Sequence, residues 1–166
     1  MRYVAHRYLR GLMCLMLALS LVACGEKERL PALPAGSVVL ALGDSLTFGA
    51  GVTPDQAWPT LLAGKTGWQV INGGVSGNTS GDALERLPEL LEEHRPVLVI
   101  VTLGGNDMLR HLPVREVESN LAKMIVKSRA AGAQVVMLAT PQPSLAGAVL
   151  RNLSAPEFYA RVAGSQ

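Results

Sequence analysis

The sequence predicts an α/β fold: a three-layer α/β/α sandwich of flavodoxin-like kind on a parallel sheet. Two observations predict it. From Ser37 onward, short apolar runs alternate with longer stretches of helical periodicity. That alternation, at this spacing, calls for parallel strands joined by right-handed helical crossovers. The apolar runs are also continuous instead of alternating with polar residues, as expected of strands covered on both faces.

The elements follow in order. Val38-Val39-Leu40-Ala41-Leu42 is the first run and stops at Gly43. Asp55 is placed to cap a helix reaching about Lys65, with Trp58, Leu61 and Leu62 on one side. Pro59 falls in its first turn, where a missing N–H is tolerated. Trp68 to Ile71 makes a short second strand. Thr79 to His94 reads as a helix from Leu84, Leu87, Leu90 and Leu91, with a break or kink at Pro88. Val97 to Leu103 is the third strand. Pro113 opens a helix whose Val114, Val117, Leu121, Ile125 and Ser128 share one stripe, closed by Gly132. Gln134 to Ala139 is the fourth strand. A loop with Pro141 and Pro143 follows, then a weak helical stretch from Pro156 to Val162.

Residues 1–23 have the character of a signal peptide. Arg2 to Arg10 is basic, Gly11 to Leu21 is apolar, and small residues follow. The apolar run is shorter than the ~20 residues of a membrane-spanning helix. Leu21-Val22-Ala23-Cys24 resembles the bacterial lipobox, which implies cleavage before Cys24 and lipidation of its sulfur. Gly25 after the cysteine is similar to the outer-membrane sorting signal. The expected location is therefore the cell envelope, lipid-anchored and facing the periplasm. Residues 24–36, with Pro31 and Pro34 and mixed charge, read as a tether, and 37–166 as the domain.

Composition narrows the function classes. Removing the leader's Arg2, Arg7 and Arg10 from 15 basic residues leaves 12 against 13 acidic ones. No basic patch survives to suggest a nucleic-acid partner. The two cysteines are Cys14 and Cys24. A chain starting at Cys24 holds no second thiol for an internal disulfide, so the domain must stand without one.

In parallel α/β sheets, ligands bind at the carboxyl ends of the strands. Three polar, glycine-rich turns leave those ends here: Gly43-Asp44-Ser45-Leu46-Thr47-Phe48-Gly49, Asn72-Gly73-Gly74-Val75-Ser76-Gly77-Asn78-Thr79-Ser80, and Gly104-Gly105-Asn106-Asp107. The second lacks the Lys-Ser/Thr ending of a phosphate loop and the G-x-G-x-x-G spacing. Asn106-Asp107 also suits a helix cap.

Gly43-Asp44-Ser45-Leu46, Gly77 within Val75-Ser76-Gly77-Asn78-Thr79, and Gly105-Asn106-Asp107 resemble, in order, the first three blocks of the SGNH/GDSL family of serine ester hydrolases. Ala57-Trp58-Pro59 and Glu85-Arg86-Leu87-Pro88 are similar to its small periplasmic thioesterase/lysophospholipase and arylesterase branch. The resemblance implies hydrolysis of a small acyl ester or thioester through an acyl-serine intermediate, without cofactor or metal. It implies Ser45 as nucleophile, with the Ser45 N–H, the Gly77 N–H and the Asn106 side-chain amide as oxyanion hole. Asp44 would brace the loop.

A serine hydroxyl needs a base to accept its proton. The family takes one from an Asp-x-x-His block, which these 166 residues do not contain. His6 lies in the leader, and His94 lies before the third strand, at the opposite edge from Ser45. His111 is on the correct edge and is the one conceivable substitute, or else a solvated loop residue. Only 59 residues follow Asp107, too few for a fifth strand, the missing block and a closing helix. The expectation is thus a domain without its last strand and helix. Two readings stay open: an esterase, or a lipid-anchored acyl binder without turnover.

Overall fold

The computed structural model describes residues 32–142 and 153–165. The chain divides into two units, Met1–Ala32 and Leu33–Gln166, and the second carries the α/β domain. The leader, Cys24 and most of the segment expected to be a tether lie outside the described residues.

Four strands form one parallel sheet: β1 (Val38–Gly43), β2 (Gln69–Gly74), β3 (Leu98–Thr102) and β4 (Gln134–Met137), in the order β2-β1-β3-β4. The chain passes from β1 outward to β2, then crosses back over β1 to β3. The topological switch point of the sheet therefore lies between the carboxyl ends of β1 and β3, where ligands gather in open sheets of this kind. The helices are α1 (Ser45–Phe48), α2 (Trp58–Thr66), α3 (Ser80–His94), α4 (Gly105–Leu109), α5 (Val114–Ala130) and α6 (Phe158–Gly164), with a 3-10 turn at Pro54–Gln56.

Side chains alternate across the strands and so divide the core in two. Leu40, Leu42, Val99 and Val101 face Leu87 of α3, Leu121 and Met124 of α5, and Phe158 and Val162 of α6. Val39, Leu98 and Ile100 face the other way, onto Trp58 and Leu62 of α2, with Leu33, Trp68 and Val70. Three layers result, as the sequence predicts. Fully burying one Leu or Val stabilises by about 1.5–3 kcal/mol, which gives the larger cluster most of the driving force.

Several boundaries differ from the sequence-based expectation, each for a local reason. The second strand runs on to Gly74, pairing Asn72, Gly73 and Gly74 with Ala41, Leu42 and Gly43. Side-chain-free residues permit this: a Cβ at Gly74 would collide with the Phe48 N and the Thr47 carbonyl carbon. Asp55 does not cap a helix. It lies in the 3-10 turn after Thr53, and Ala57, extended at ψ 136°, precedes α2. The helix expected to break at Pro88 is continuous from Ser80 to His94, with Pro88 on its exposed side. Water can serve the carbonyl that a proline leaves unpaired there. The α5 stripe keeps Val117, Leu121, Ile125 and Ser128 and adds Met124, whereas Val114 in the first turn stays 49% exposed. The weak stretch near the C-terminus is a true helix, because Phe158, Tyr159 and Val162 give it a buried face.

Candidate active site

Register places the three turns side by side. Gly43 pairs with Gly74 on one side and with Thr102 on the other, so the residues that follow all leave at one edge. Asp44 is buried and caps α1, its Oδ1 accepting the Leu46 N–H at 2.9 Å. Burial pushes its carboxyl up from the ordinary value, with the Leu46 bond opposing. Ser45 begins α1 and is half-buried. Its Oγ has no hydrogen-bond partner among the described residues. As the first residue of a helix it also keeps its own N–H unbonded, as helix termini do.

The second turn is folded by a capping box. The Thr79 N–H donates to Asp82 Oδ2 at 2.8 Å, and the Asp82 N–H donates back to Thr79 Oγ1 at 3.3 Å. The Thr79 N–H and, at 2.8 Å, the Thr79 hydroxyl both donate to Asp82 Oδ2 and hold its carboxyl below the ordinary value. Gly77 sits just before this cap at φ +82°, a left-handed conformation that side-chain-bearing residues avoid. Its carbonyl accepts Arg110 Nη2 at 2.7 Å. Its N–H, like that of Ser45, donates to no other described residue.

The third turn closes the site. Asn106 Nδ2 donates to the Asn78 carbonyl at 2.9 Å and approaches Asp44 Oδ2 at 3.5 Å. One amide thereby touches the neighbours of both Ser45 and Gly77. The first bond is well formed and the second sits at the limit of hydrogen bonding, so one amide hydrogen can be given up to a ligand. Asp107 is fully buried. It accepts the Ser80 N–H and, at 2.6 Å, the Ser80 hydroxyl, which in turn accepts Asn120 Nδ2. A carboxylate from the third turn thus caps α3, a favourable place for negative charge. Asp107 alone of the Asn106-Asp107 pair thus acts as a cap, and it does so for a helix distant in sequence.

The turns carrying Ser45, Gly77 and Asn106 thus leave the sheet at one edge, with the Asn106 amide on the neighbours of the other two residues, and Cys24 lies outside the described residues. His94 ends α3 on the way to the amino end of β3, at the edge away from Ser45. His111 is exposed at φ +54°, its N–H bonded to the Met108 carbonyl, with no side-chain bond to Ser45. Among the described residues no three His, Cys, Asp or Glu side chains cluster as a metal site would need, and no helix is long and apolar enough to cross a membrane.

Two supports escaped the sequence reading. Tyr159 of α6 donates its hydroxyl to the Leu103 carbonyl at 2.7 Å, steadying the approach to Gly104; burial pushes the phenol up. Arg86 donates Nε to Asn78 Oδ1 at 2.8 Å and Nη2 to the Gly43 carbonyl at 3.1 Å. A signal existed for Arg86: it lies two helical turns beyond Thr79, on the face of the cap.

Three glycine-rich turns meeting at the switch point of a parallel α/β sheet, one of them carrying Ser45, define the class of domain. The chain belongs to the GDSL-like Lipase/Acylhydrolase family, which matches residues 41–163. It is similar to an arylesterase of Vibrio mimicus, 44% identical over 109 residues that cover 63% of this chain and 54% of that one. It is similar also to thioesterase 1/protease 1/lysophospholipase L1 of Escherichia coli K12, 40% identical over 114 residues covering 66% and 54%. The chain thus spans about half the length of these curated relatives. The fold matches the crystal structure of TesA with TM-score 0.67 and 36% identity, over 78% of this chain and 72% of that one.

Proposed function

We propose that this protein is a serine ester hydrolase that acts on small acyl esters or thioesters through an acyl-serine intermediate. The observation that carries the reading is the Ser45 hydroxyl at the switch point, without a partner among the described residues, with the Asn106 amide on the neighbours of both Ser45 and Gly77. Ser45 Oγ attacks the acyl carbonyl, and the developing oxyanion takes hydrogen bonds from the Ser45 N–H, the Gly77 N–H and the Asn106 amide. Each such donor accounts for about 10²–10³ in kcat. Family membership and the names of the relatives support the chemistry. No metal or cofactor is needed for it.

The proton of Ser45 must go to a base. No described residue bonds Ser45 Oγ, so we expect the 166-residue chain itself to turn over slowly, with about 10³–10⁴ over water supplied by binding and the oxyanion hole. The second reading, an acyl binder without turnover, rests on the same observation. Initial rates on p-nitrophenyl butyrate separate the two. Slow hydrolysis little moved by Ser45→Ala or His111→Ala, but raised when the chain is extended with the family's last strand, Asp-x-x-His block and helix and then abolished by Ser45→Ala, supports the first. Robust hydrolysis lost in both variants would assign the base to His111. No gain in rate from that extension would leave only binding.

We place the protein in the bacterial envelope, anchored by lipid on Cys24 and facing the periplasm. The basic leader, the short apolar run and Leu21-Val22-Ala23-Cys24 support this.

A further inference from the structure

Arg86 is an expensive residue in its position. Its guanidinium is partly buried, and that burial pulls its proton affinity below the ordinary arginine value. It forms no direct ion pair among the described residues; the field of Asp82 reaches it without contact. A charge placed so is costly unless hydrogen bonds satisfy it.

Those bonds converge on the site. Nη2 reaches the Gly43 carbonyl, two residues before Ser45, which also accepts the Val75 N–H at 3.1 Å. Nε reaches Asn78 Oδ1, in the residue after Gly77. Arginine has no acceptor, so the Asn78 side chain must present its oxygen here. Asn78 is then fixed at three points: Arg86 on its side chain, the Val75 carbonyl on its N–H at 3.1 Å, and Asn106 Nδ2 on its own carbonyl. The residue whose backbone carbonyl aims the Asn106 amide is therefore held, through its side chain, by the guanidinium. The rigid fork presents two separate donors at a fixed spacing and ties the first turn to the second, a geometry that a compact ammonium on a flexible stem does not hold in place.

We infer that Arg86 is a positioning residue of the oxyanion hole, setting the Asn106 amide through Asn78 while locking the Gly43 end of β1 to the Gly77 turn. This deepens the proposed function and rests on its reading of Ser45, Gly77 and Asn106 as the reacting site. The test uses the full chain, with Arg86→Met (length kept, charge and fork lost) and Arg86→Lys (charge kept, fork lost). The first measurement is the chemical shift and water exchange of the Asn106 side-chain amide by NMR in the ligand-free protein. Both variants should move that resonance and speed its exchange, with core methyls such as those of Leu121 undisturbed. The second measurement is binding of butylboronic acid, which forms a tetrahedral oxyanion mimic on a serine. Both variants should bind it about tenfold more weakly, the scale of one misaligned bond to a charged group.

An Asn106 amide unchanged in a folded Arg86→Met overturns the proposal. If that variant does not fold, Arg86→Lys decides alone, and wild-type behaviour in it overturns the proposal equally. Failure of the wild type to bind the boronate, with the Asn106 resonance still moved by Arg86→Lys, strikes the Ser45 reading and leaves the role of Arg86 standing.

Discussion

Neutralising Asp107 should destabilise the domain more than its position in a surface turn suggests. The carboxylate is fully buried and takes the Ser80 N–H at 2.9 Å and the Ser80 hydroxyl at 2.6 Å. Charge-assisted bonds are about twice as strong as neutral ones and contribute about 1.5–3 kcal/mol each, so neutralising two loses about 2–3 kcal/mol. Loss of a negative charge at the start of α3 adds up to about 1 kcal/mol, and the smaller desolvation of Asn returns a comparable part. The expected cost of Asp107→Asn is thus about 2–3 kcal/mol, a large fraction of the 5–15 kcal/mol typical of a domain. Urea unfolding followed by circular dichroism measures it. The midpoint should fall with the slope unchanged. A change below about 0.5 kcal/mol, the range of an ordinary surface substitution, would refute the cap.

Gly74→Ala should lower Tm through a loss of about 1–3 kcal/mol, because its Cβ meets the backbone of Thr47 and Phe48, which cannot turn aside; an unchanged melt would contradict that close approach. Asp82→Asn should cost about 0.5–1 kcal/mol at neutral pH, discounted for exposure. Because the folded carboxyl lies below its ordinary value of 3.8, its stabilisation is complete above that value and is lost as pH falls through the folded one. The gap between wild type and variant should therefore close in acid, and a gap constant from pH 7 to 2 would reject the capping box. Cys24→Ala should abolish metabolic labelling with palmitate and alter signal processing; equal label in both chains would end the lipid-anchor proposal.

Much of the site was legible because its parts are local. Gly43-Asp44-Ser45, Gly77 and Gly105-Asn106-Asp107 follow apolar runs whose strand character is unambiguous, and parallel topology forces them to one edge. Long-range bonds left a fainter mark, at most the place of Arg86 two helical turns beyond Thr79. The partner of Asp107 is 27 residues away, and Arg86 reaches back 43 residues to Gly43. Asp55 misled because an acidic residue before an apolar stretch looks like a cap, whereas Pro54 and Pro59 shape a 3-10 turn and a later helix start. The end of β2 was misjudged for the opposite reason: Asn72-Gly73-Gly74 has turn composition, yet the sheet needs residues without bulk beneath α1.

Whether Ser45 carries the acyl group is best tested by trapping it. No described residue bonds Ser45 Oγ as a base, so acylation and deacylation should both be slow, and prolonged exposure of the 166-residue chain to excess p-nitrophenyl acetate should leave an acetyl group in place. Peptide mapping by mass spectrometry should find it on the peptide holding Ser45, above a background of lysine acetylation common to all variants. Ser45→Ala should lose that label alone, and Asn106→Ala should reduce it by about 10²-fold, the worth of one oxyanion donor. Identical acetylation patterns in wild type and Ser45→Ala would contradict Ser45 as the nucleophile.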